Sequence, residues 1–576
     1  MTRLPGKFHW EEKETPDPAC VERLVQALGT PPAGARFLSS RGMTTPEEAA
    51  PFLSGSGTSF HDPFRFDHME RAVTAVRGAI DRGRRILIHG DYDVDGICGT
   101  ALLYEFLCGL VPHVFRFLPD RRKDGYGIAR RGVEWAIEHE VGLFIAVDCG
   151  TSDVDNVARL EEAGMEIVVC DHHEFPIDRP AGGIMLNPVR AGESYPFGGL
   201  CGAGVALKLV QALEASGVQG RRRSDELLDL ATLATVGDVA PLVDENRLLV
   251  RRGLEFINQA PRPGIAALKH VARLAAPEIT ASHIGFLLAP RLNAPGRISN
   301  PKPALQILCS RERLESERLA RILEADNEHR RNLTEKVSTD VARDIRSSEG
   351  WQRRGAFVLA GEDWDEGVLG IAAARVAEEF GRPALLISTA GGIAKGSGRS
   401  VPGVHLKEQL DHCKSFLTRF GGHAQAVGFS LEPGKIDAFR EEFTRRLAEV
   451  TSASPGKARL DIDADVTVAE ATMELVDFLG ACEPFGNGNR TPMWKLANVR
   501  VGGDTRWVGN GHLKLFLADS DGHKADGICF NWENRAIAPE VLHGRAVDMA
   551  VTLKKGYYRN RHRVEIHVAD IRQHEG

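Results

Sequence analysis

Between Arg84 and Asn187, short uninterrupted apolar runs alternate with longer segments of helical periodicity: RILIH, ICGTALLYEFLCG, LFIAVD, VDNVARLEEAG, EIVVCD and GIMLN follow one another. Strands that are apolar at every position are buried on both faces, and the intervening helices cover them. The stretch therefore predicts an α/β unit with a doubly wound parallel sheet. In such a sheet the ligand crevice lies beyond the carboxyl ends of the strands. His89, Asp91, Asp93, Asp95, Asp148, Asp171, His172 and His173 all fall there. Separate pieces of chain are thus predicted to converge on one edge.

From Leu200 to about Ala275 the pattern is mainly helical, and Gly237-Asp238 ends ELLDLATLATVGD so that a carboxylate projects from the helix terminus. No proline occurs from Ala304 to Arg382, and residues 311–346 carry nine basic and nine acidic side chains. Leu333, Val337, Val341 and Ile345 recur four apart in that stretch, which predicts a long, mostly exposed connecting helix over 301–349. A second α/β unit is expected over 350–450: AFVLA as strand, GVLGIAAARVAEEFG as helix, PALLIS as strand, then two glycine-rich turns, GGIAKGSGRS and FGGHAQAVGFS. TSASPGK reads as a linker. Beyond it, short strand-like runs separated by turns predict a small β-barrel within 451–576. Residues 1–50 form an N-terminal segment, and 51–300 the first domain.

A chain of 576 residues divides into about four domains at roughly 150 residues each. Its 43% hydrophobic and 26% charged content excludes long disordered, collagenous or coiled-coil architectures. The net charge of −7 means that any nucleic-acid surface must be local. Ten cysteines without C-x-x-C spacing argue against a disulfide frame or a cysteine zinc site. The sequence shows no signal-peptide pattern and no run of 18 apolar residues, so a soluble, cytoplasmic protein without membrane partners is expected.

The run His89-Gly-Asp91-Tyr-Asp93-Val-Asp95-Gly96 packs three carboxylates and an imidazole behind a buried strand. Like charges this close repel, and a cation is the usual remedy. A calcium loop does not fit, because the twelfth position from Asp91 is Leu102 instead of glutamate. Hard carboxylates with one or two imidazoles suit Mn²⁺ or Mg²⁺. Asp148, Asp171-His172-His173 and Asp238 add enough donors for two ions, the arrangement that stabilises phosphoryl displacement.

HGDYDVDG, VDCG, DHH and GDV, in this order and separation, resemble the first four motifs of the DHH phosphoesterase superfamily. SGRS and GGH resemble those of its associated DHHA1 domain. The likeness runs from about residue 50 to the end. With the connecting helix and an oligonucleotide-binding (OB) barrel, the chain is similar to that superfamily's 5′→3′ exonucleases specific for single-stranded DNA. The resemblance implies two Mn²⁺ or Mg²⁺ ions, one held by His89, Asp93 and Asp148 and the other by Asp95, Asp148, His172 and Asp238. Asp91 and His173 would sit behind the metal ligands and orient them, or lie beside the phosphate, and His423 would face the scissile group. Arg291, Asn293 and Arg297 would bind the strand or its 5′ end. It further implies a monomer acting in DNA repair and recombination, with single-stranded DNA, a single-strand-binding protein and a helicase as partners.

Two further segments carry binding chemistry of their own. Ser397, Arg399 and Ser400 in GSGRS combine glycine-permitted close approach with a guanidinium and hydroxyls, an anion cradle. The run from Lys554 to Arg563 interleaves five cations, Arg559 among them, with Tyr557 and Tyr558 and has no acid. Phosphate attraction and base stacking together hold single strands. Two rivals stand beside this reading: a DHH/DHHA1 phosphoesterase of small substrates, and a silent scaffold. The first does not need the helix and barrel, and the second would be expected to have lost some of the Asp/His set.

Overall fold

The computed structural model describes residues 4, 6–55, 58–174, 182–351, 354–450, 459–509, 511–535, 537–558 and 561–574. The TSASPGK segment lies outside them. The chain forms two compact units: one is Ser59–Pro455 with Gly486–Asn489, the other Met1–Thr58, Gly456–Phe485 and Arg490–Gly576.

The larger unit begins with a five-stranded parallel sheet. Strand β1 (Ile86–Gly90) leads into helix α1 (Val94–Leu107) and is followed by β2 (Val114–Phe117), β3 (Leu143–Val147), β4 (Glu166–Cys170) and β5 (Ile184–Leu186). The order is β2-β1-β3-β4-β5. Alternate residues of β1 and β3 point to opposite sides: Ile86, Ile88, Leu143 and Ile145 enter one core, Leu87 and Phe144 the other. Strand β2 is absent from the apolar pattern because it is an edge strand, half buried, with Arg116 exposed. The chain runs from β1 outward to β2 and then returns to the far side of β1. That reversal opens a crevice between the carboxyl ends of β1 and β3, where Asp91 and Asp148 follow their strands.

Helix α2 (Leu228–Gly237) ends at Asp238 as the pattern predicts. The Pro- and Gly-containing stretch around Arg291 is a helix, α3 (Ala289–Ile298), entered through a π-turn at Ile284–Leu288. Pro290 follows the π-turn directly, and Pro295 lies inside the helix. The connecting helix is α4 (Arg313–Ser347), preceded by a separate helix at Lys302–Cys309. It is less exposed than its charge density suggests. Leu319, Ala320 and Leu323 enter the first core, and Val337, Val341 and Ile345 enter that of the second α/β unit.

That second unit contains β6 (Phe357–Gly361), α5 (Leu369–Phe380), β7 (Ala384–Ser388), β8 (Ala394–Arg399), β9 (Leu417–Gly422) and β10 (Ala426–Leu431), in sheet order β9-β10-β8-β7-β6. The two glycine-rich segments, expected as turns, are largely strand. Glycine makes room there: a Cβ on Gly396 would lie 2.2 Å from the ring of Phe429, and one on Gly398 2.8 Å from Val427.

In the smaller unit, strands 494–501, 546–558, 561–573, 524–529 and 512–518 pair in succession, and the first also pairs with the last, closing a five-stranded ring. The N-terminal residues complete this unit. His9–Glu12 pairs in parallel with Arg459–Ile462, and Leu24, Phe37 and Leu38 share a core with Trp494 and Met549. Among the described residues no helix is long and apolar enough to cross a membrane.

Candidate metal centre and its arginine wall

The crevice draws the acidic motifs together. Asp93 caps α1, its Oδ1 accepting from the amides of Asp95 and Gly96 at 3.0 and 3.3 Å. Buried Asp95 accepts from the amides of Gly202 and Ala203 at 2.6 and 2.8 Å, at the amino end of the helix Gly202–Ala215. Asp148 follows β3 with a left-handed backbone, φ 60°. Asp171 anchors the histidine pair: Thr151 and His172 donate their amides, and His173 its Nδ1 at 2.7 Å. His172 Nε2 then lies 3.2 Å from Asp148, 3.6 Å from Asp95 and 3.9 Å from Asp238.

Three groups of ligand atoms fall within 4.8 Å of one another: Asp91, Asp93 and Asp148; Asp95, His172 and Asp238; and Asp148, His172 and His173. The electrostatics fit a cation. Burial pushes the Asp148 carboxyl well above its usual range, and Asp95, Asp93, Asp91 and Asp171 push it further. Burial and Asp93 do the same to Asp91, whose Oδ1 is buried without a hydrogen-bond partner. Asp238 is pushed up to about 8 by burial, then by Asp95 and Asp93. Burial lowers the His173 imidazole, but Asp171 outweighs it and brings the value to about 9. These are hard, mutually repelling, underused oxygens, the donor set that Mn²⁺ or Mg²⁺ satisfies.

His89 does not join the cluster. Its ring packs between Phe117 and Phe144, Nε2 accepts from the Ala129 amide at 3.1 Å, and Nδ1 faces Cys149 Sγ at 3.8 Å. Both ring nitrogens are thus turned to protein, and burial lowers the imidazole to about 4.

Guanidinium groups stand near the carboxylates: Arg121 acts on Asp91, and Asp93 on Arg297. Burial lowers Arg297 to about 10, with repulsion from Arg121 next and Asp93 opposing. Arg399 is lowered by burial and by the same Arg121. Close backbone approaches bring these residues together. A Cβ on Gly296 would meet the Tyr92 carbonyl at 2.4 Å, one on Gly367 the Arg297 carbonyl at 2.1 Å, and one on Gly370 the Arg399 guanidinium and Ser397 hydroxyl at 3.0 and 3.1 Å. Arg121 escapes a reading of the sequence because LPDRRKDGYG looks like a solvated loop.

Known proteins share the sequence of domains that carries this site. Residues 85–235 match the DHH family N-terminal domain, 354–449 the DHHA1 domain and 462–570 the RecJ OB domain. The chain is 32% identical to the single-stranded-DNA-specific exonuclease RecJ of Bacillus subtilis over 98% of its own length and 71% of that protein. To RecJ of Escherichia coli it is 32% identical, covering 94% of this chain and 96% of the relative. The chain belongs to the RecJ family. A crystal structure of Thermus thermophilus RecJ in complex with Mn²⁺ superposes with a TM-score of 0.83 at 27% identity, covering 99% of this chain and 80% of that one. A second structure of that protein is a complex with Mg²⁺.

In this RecJ-family chain the remaining expected residues divide between the cleft and structural roles. Ser397 and Arg399 stand on β8, with Arg399 Nη1 3.3 Å from the Ser397 hydroxyl. The Ser400 hydroxyl donates to the Val404 carbonyl at 2.6 Å, which occupies it structurally. His423, in the turn between β9 and β10, approaches the DHH loop through Glu174 at 3.5 Å. Asn293 accepts from the Val94 amide at 2.7 Å and so steadies the first turn of α1. Arg291 is buried in a two-pronged pair with Glu324.

In the OB domain Lys554 is exposed on the 546–558 strand, which forms a hairpin with 561–573. Arg559 and the side chain of Tyr557 lie outside the described residues. A groove of about 460 Å³ offers a second feature: Arg506, Lys514, Phe516, Phe530 and Arg563 line it. The alternation in HLKLFLAD, which sets Lys514 and Phe516 on one face, is the sequence signal for it.

Proposed function

We propose that this chain removes nucleotides from the 5′ end of single-stranded DNA in a reaction dependent on divalent metal. One observation carries the reading: a single imidazole nitrogen, His172 Nε2, lies within 3.9 Å of three carboxylates that come from three separate chain segments. Single-stranded-DNA-specific RecJ relatives that match over nearly the whole of this chain support it. Asp91, Asp93 and Asp148 would hold one ion and Asp95, His172 and Asp238 a second, with Asp148 near enough to His172 to serve both. Ions of this kind supply charge neutralisation at phosphorus and a nucleophile from water.

The chain's own groups do the positioning. Arg121, Arg297, Arg399 and Ser397 hold a terminal 5′-phosphate, so the first phosphodiester, and no later one, lies over the carboxylates. His173, its Nδ1 fixed by Asp171 at 2.7 Å, keeps a proton for a phosphate oxygen on its other nitrogen. His423 and Glu174 close the opposite side. In the OB domain, Phe516 and Phe530 stack bases while Arg506, Lys514 and Arg563 attract the backbone. We extend the reading to a monomer acting in DNA repair and recombination, beside a single-strand-binding protein and a helicase.

Digestion of single strands labelled at either end, with and without Mn²⁺, tests the proposal. Labelled mononucleotide should appear at once from the 5′-labelled strand and late from the 3′-labelled one, only with metal. The opposite polarity, or no digestion at any Mn²⁺ or Mg²⁺ concentration, overturns it. A dinucleotide cleaved faster than a long 5′-phosphorylated strand would favour a small-substrate phosphoesterase.

A further inference from the structure

Away from the carboxylates, a cavity of about 540 Å³ is lined by Arg273, Arg291, Arg330, Arg331 and Arg375 together with Phe286. The two acidic residues in the lining, Glu324 and Glu328, do not balance five guanidinium groups. Glu324 is already engaged by Arg291 at 3.0 Å, and Arg375 reaches out of the cavity to Glu335 at 3.1 Å. Among the described residues no carboxylate pairs with Arg273, Arg330 or Arg331. Arg330 donates Nη2 to Asn327 at 2.9 Å, yet its Nε is buried with no partner. Burial and the neighbouring Arg375, Arg331 and Arg291 lower its affinity for its proton. A half-buried cation among cations, with its Nε covered and unpartnered, is the setting in which a bound anion is most stabilising.

Phe286 supplies the other half. It is 82% exposed, on the π-turn Ile284–Leu288. Single π-turns of this kind frequently mark functional sites. An exposed aromatic ring beside guanidinium groups is the pairing that stacks a base while its phosphate is bound.

The cavity is also tied to the cleft. Helix α3 carries Asn293 and Arg297 toward the acidic loop and Arg291 to the cavity. Helix α5 passes Arg399 at Gly370 and reaches the cavity at Arg375, five residues or about 8 Å along its axis.

We infer that this cavity binds a nucleotide, with the phosphate held by Arg330 and Arg331 and the base stacked on Phe286. The inference rests on the nuclease reading above. The nucleotide is either part of an engaged strand or a released mononucleotide, and both present the same phosphate and base. In the test, Phe286 of the full-length chain is replaced by photoreactive p-benzoylphenylalanine and irradiated in chelator with labelled dTMP or labelled oligothymidylate. An adduct at position 286 is expected with one of them: dTMP identifies released product, the oligonucleotide alone identifies strand. Adding Arg330→Gln and Arg331→Gln should reduce it about tenfold or more. No adduct with either probe, or one indifferent to the arginine changes, overturns the inference. Mn²⁺-dependent digestion by the same preparation separates the failures. Digestion without an adduct removes this cavity alone, whereas absent digestion removes the nuclease reading.

Discussion

Replacing Asp148 by asparagine keeps the shape of the side chain and deletes its charge, so it should make the metal-free protein more stable while making it inactive. Two carboxylates 4.8 Å apart, the limit that bounds the Asp91, Asp93 and Asp148 group, repel by about 3.5 kcal/mol at an effective dielectric constant of roughly 20. Asp148 has two such neighbours, and His172 Nε2 lies 3.2 Å away. Protonation relieves part of the repulsion, because the Asp148 carboxyl is pushed well above its usual range. The net gain for Asp148→Asn in chelator is about 1–3 kcal/mol at pH 8. That raises Tm by at most about 2–4 °C per kcal/mol, the range for domains of roughly 150–250 residues.

The pH dependence has a definite sign. Asp148, Asp91 and Asp238 keep protons in the fold that the unfolded chain has lost, so metal-free stability falls as pH rises above the ordinary carboxylate range. The fall continues through about 8, where Asp238 ionises. The advantage of Asp148→Asn should therefore grow from pH 5 to pH 8. Scanning calorimetry of both proteins, with chelator and then with Mn²⁺, measures it. Mn²⁺ should reverse the order, since an ion at roughly 1,000 times its Kd stabilises the wild type by about 4.1 kcal/mol, more than the substitution gains. A variant less stable than wild type in chelator at pH 8, or equal stabilisation of both by Mn²⁺, would refute the reasoning.

Arg399→Ala should weaken binding of a 5′-phosphorylated strand by about 10–100-fold, the range of a charge-assisted hydrogen bond, and leave a 5′-hydroxyl strand nearly unaffected in a fluorescence-anisotropy titration. Gly202→Ala places a methyl 2.7 Å from Asp148 Cβ and 2.8 Å from its Cα, so nuclease activity should collapse while circular dichroism remains that of a folded protein. Asn293→Ala removes the acceptor for the Val94 amide and should cost about 1 kcal/mol in denaturant unfolding, with a higher Mn²⁺ requirement for cleavage.

The parallel sheet and the acidic crevice were legible because both depend on local pattern: continuous apolar runs, each followed by charge. Strand β2 escaped since an edge strand need not be apolar throughout. The glycine-rich segments misled because glycine signals a turn when read alone, and only the ring of Phe429, more than thirty positions away, explains Gly396 as a strand residue. Arg121 and the partnering of His89 were out of reach for the same reason. Spacing shows that His89 lies at the end of a strand, but only the fold shows its ring enclosed by Phe117, Phe144 and the Ala129 amide.

The pairing of His9–Glu12 with Arg459–Ile462 bears on how the molecule is made. A ribosome adding 5–20 residues per second needs between roughly 20 and 90 s to deliver the second strand after the first. Throughout that interval Leu24, Phe37 and Leu38, destined for a core with Trp494 and Met549, have emerged without their mates. The intervening unit is contiguous except for Gly486–Asn489 and can mature meanwhile. Nascent chains should therefore recruit holding chaperones through their first sixty residues, and premature stop codons near the 3′ end of the message should yield a sound nuclease core with an adhesive leading segment.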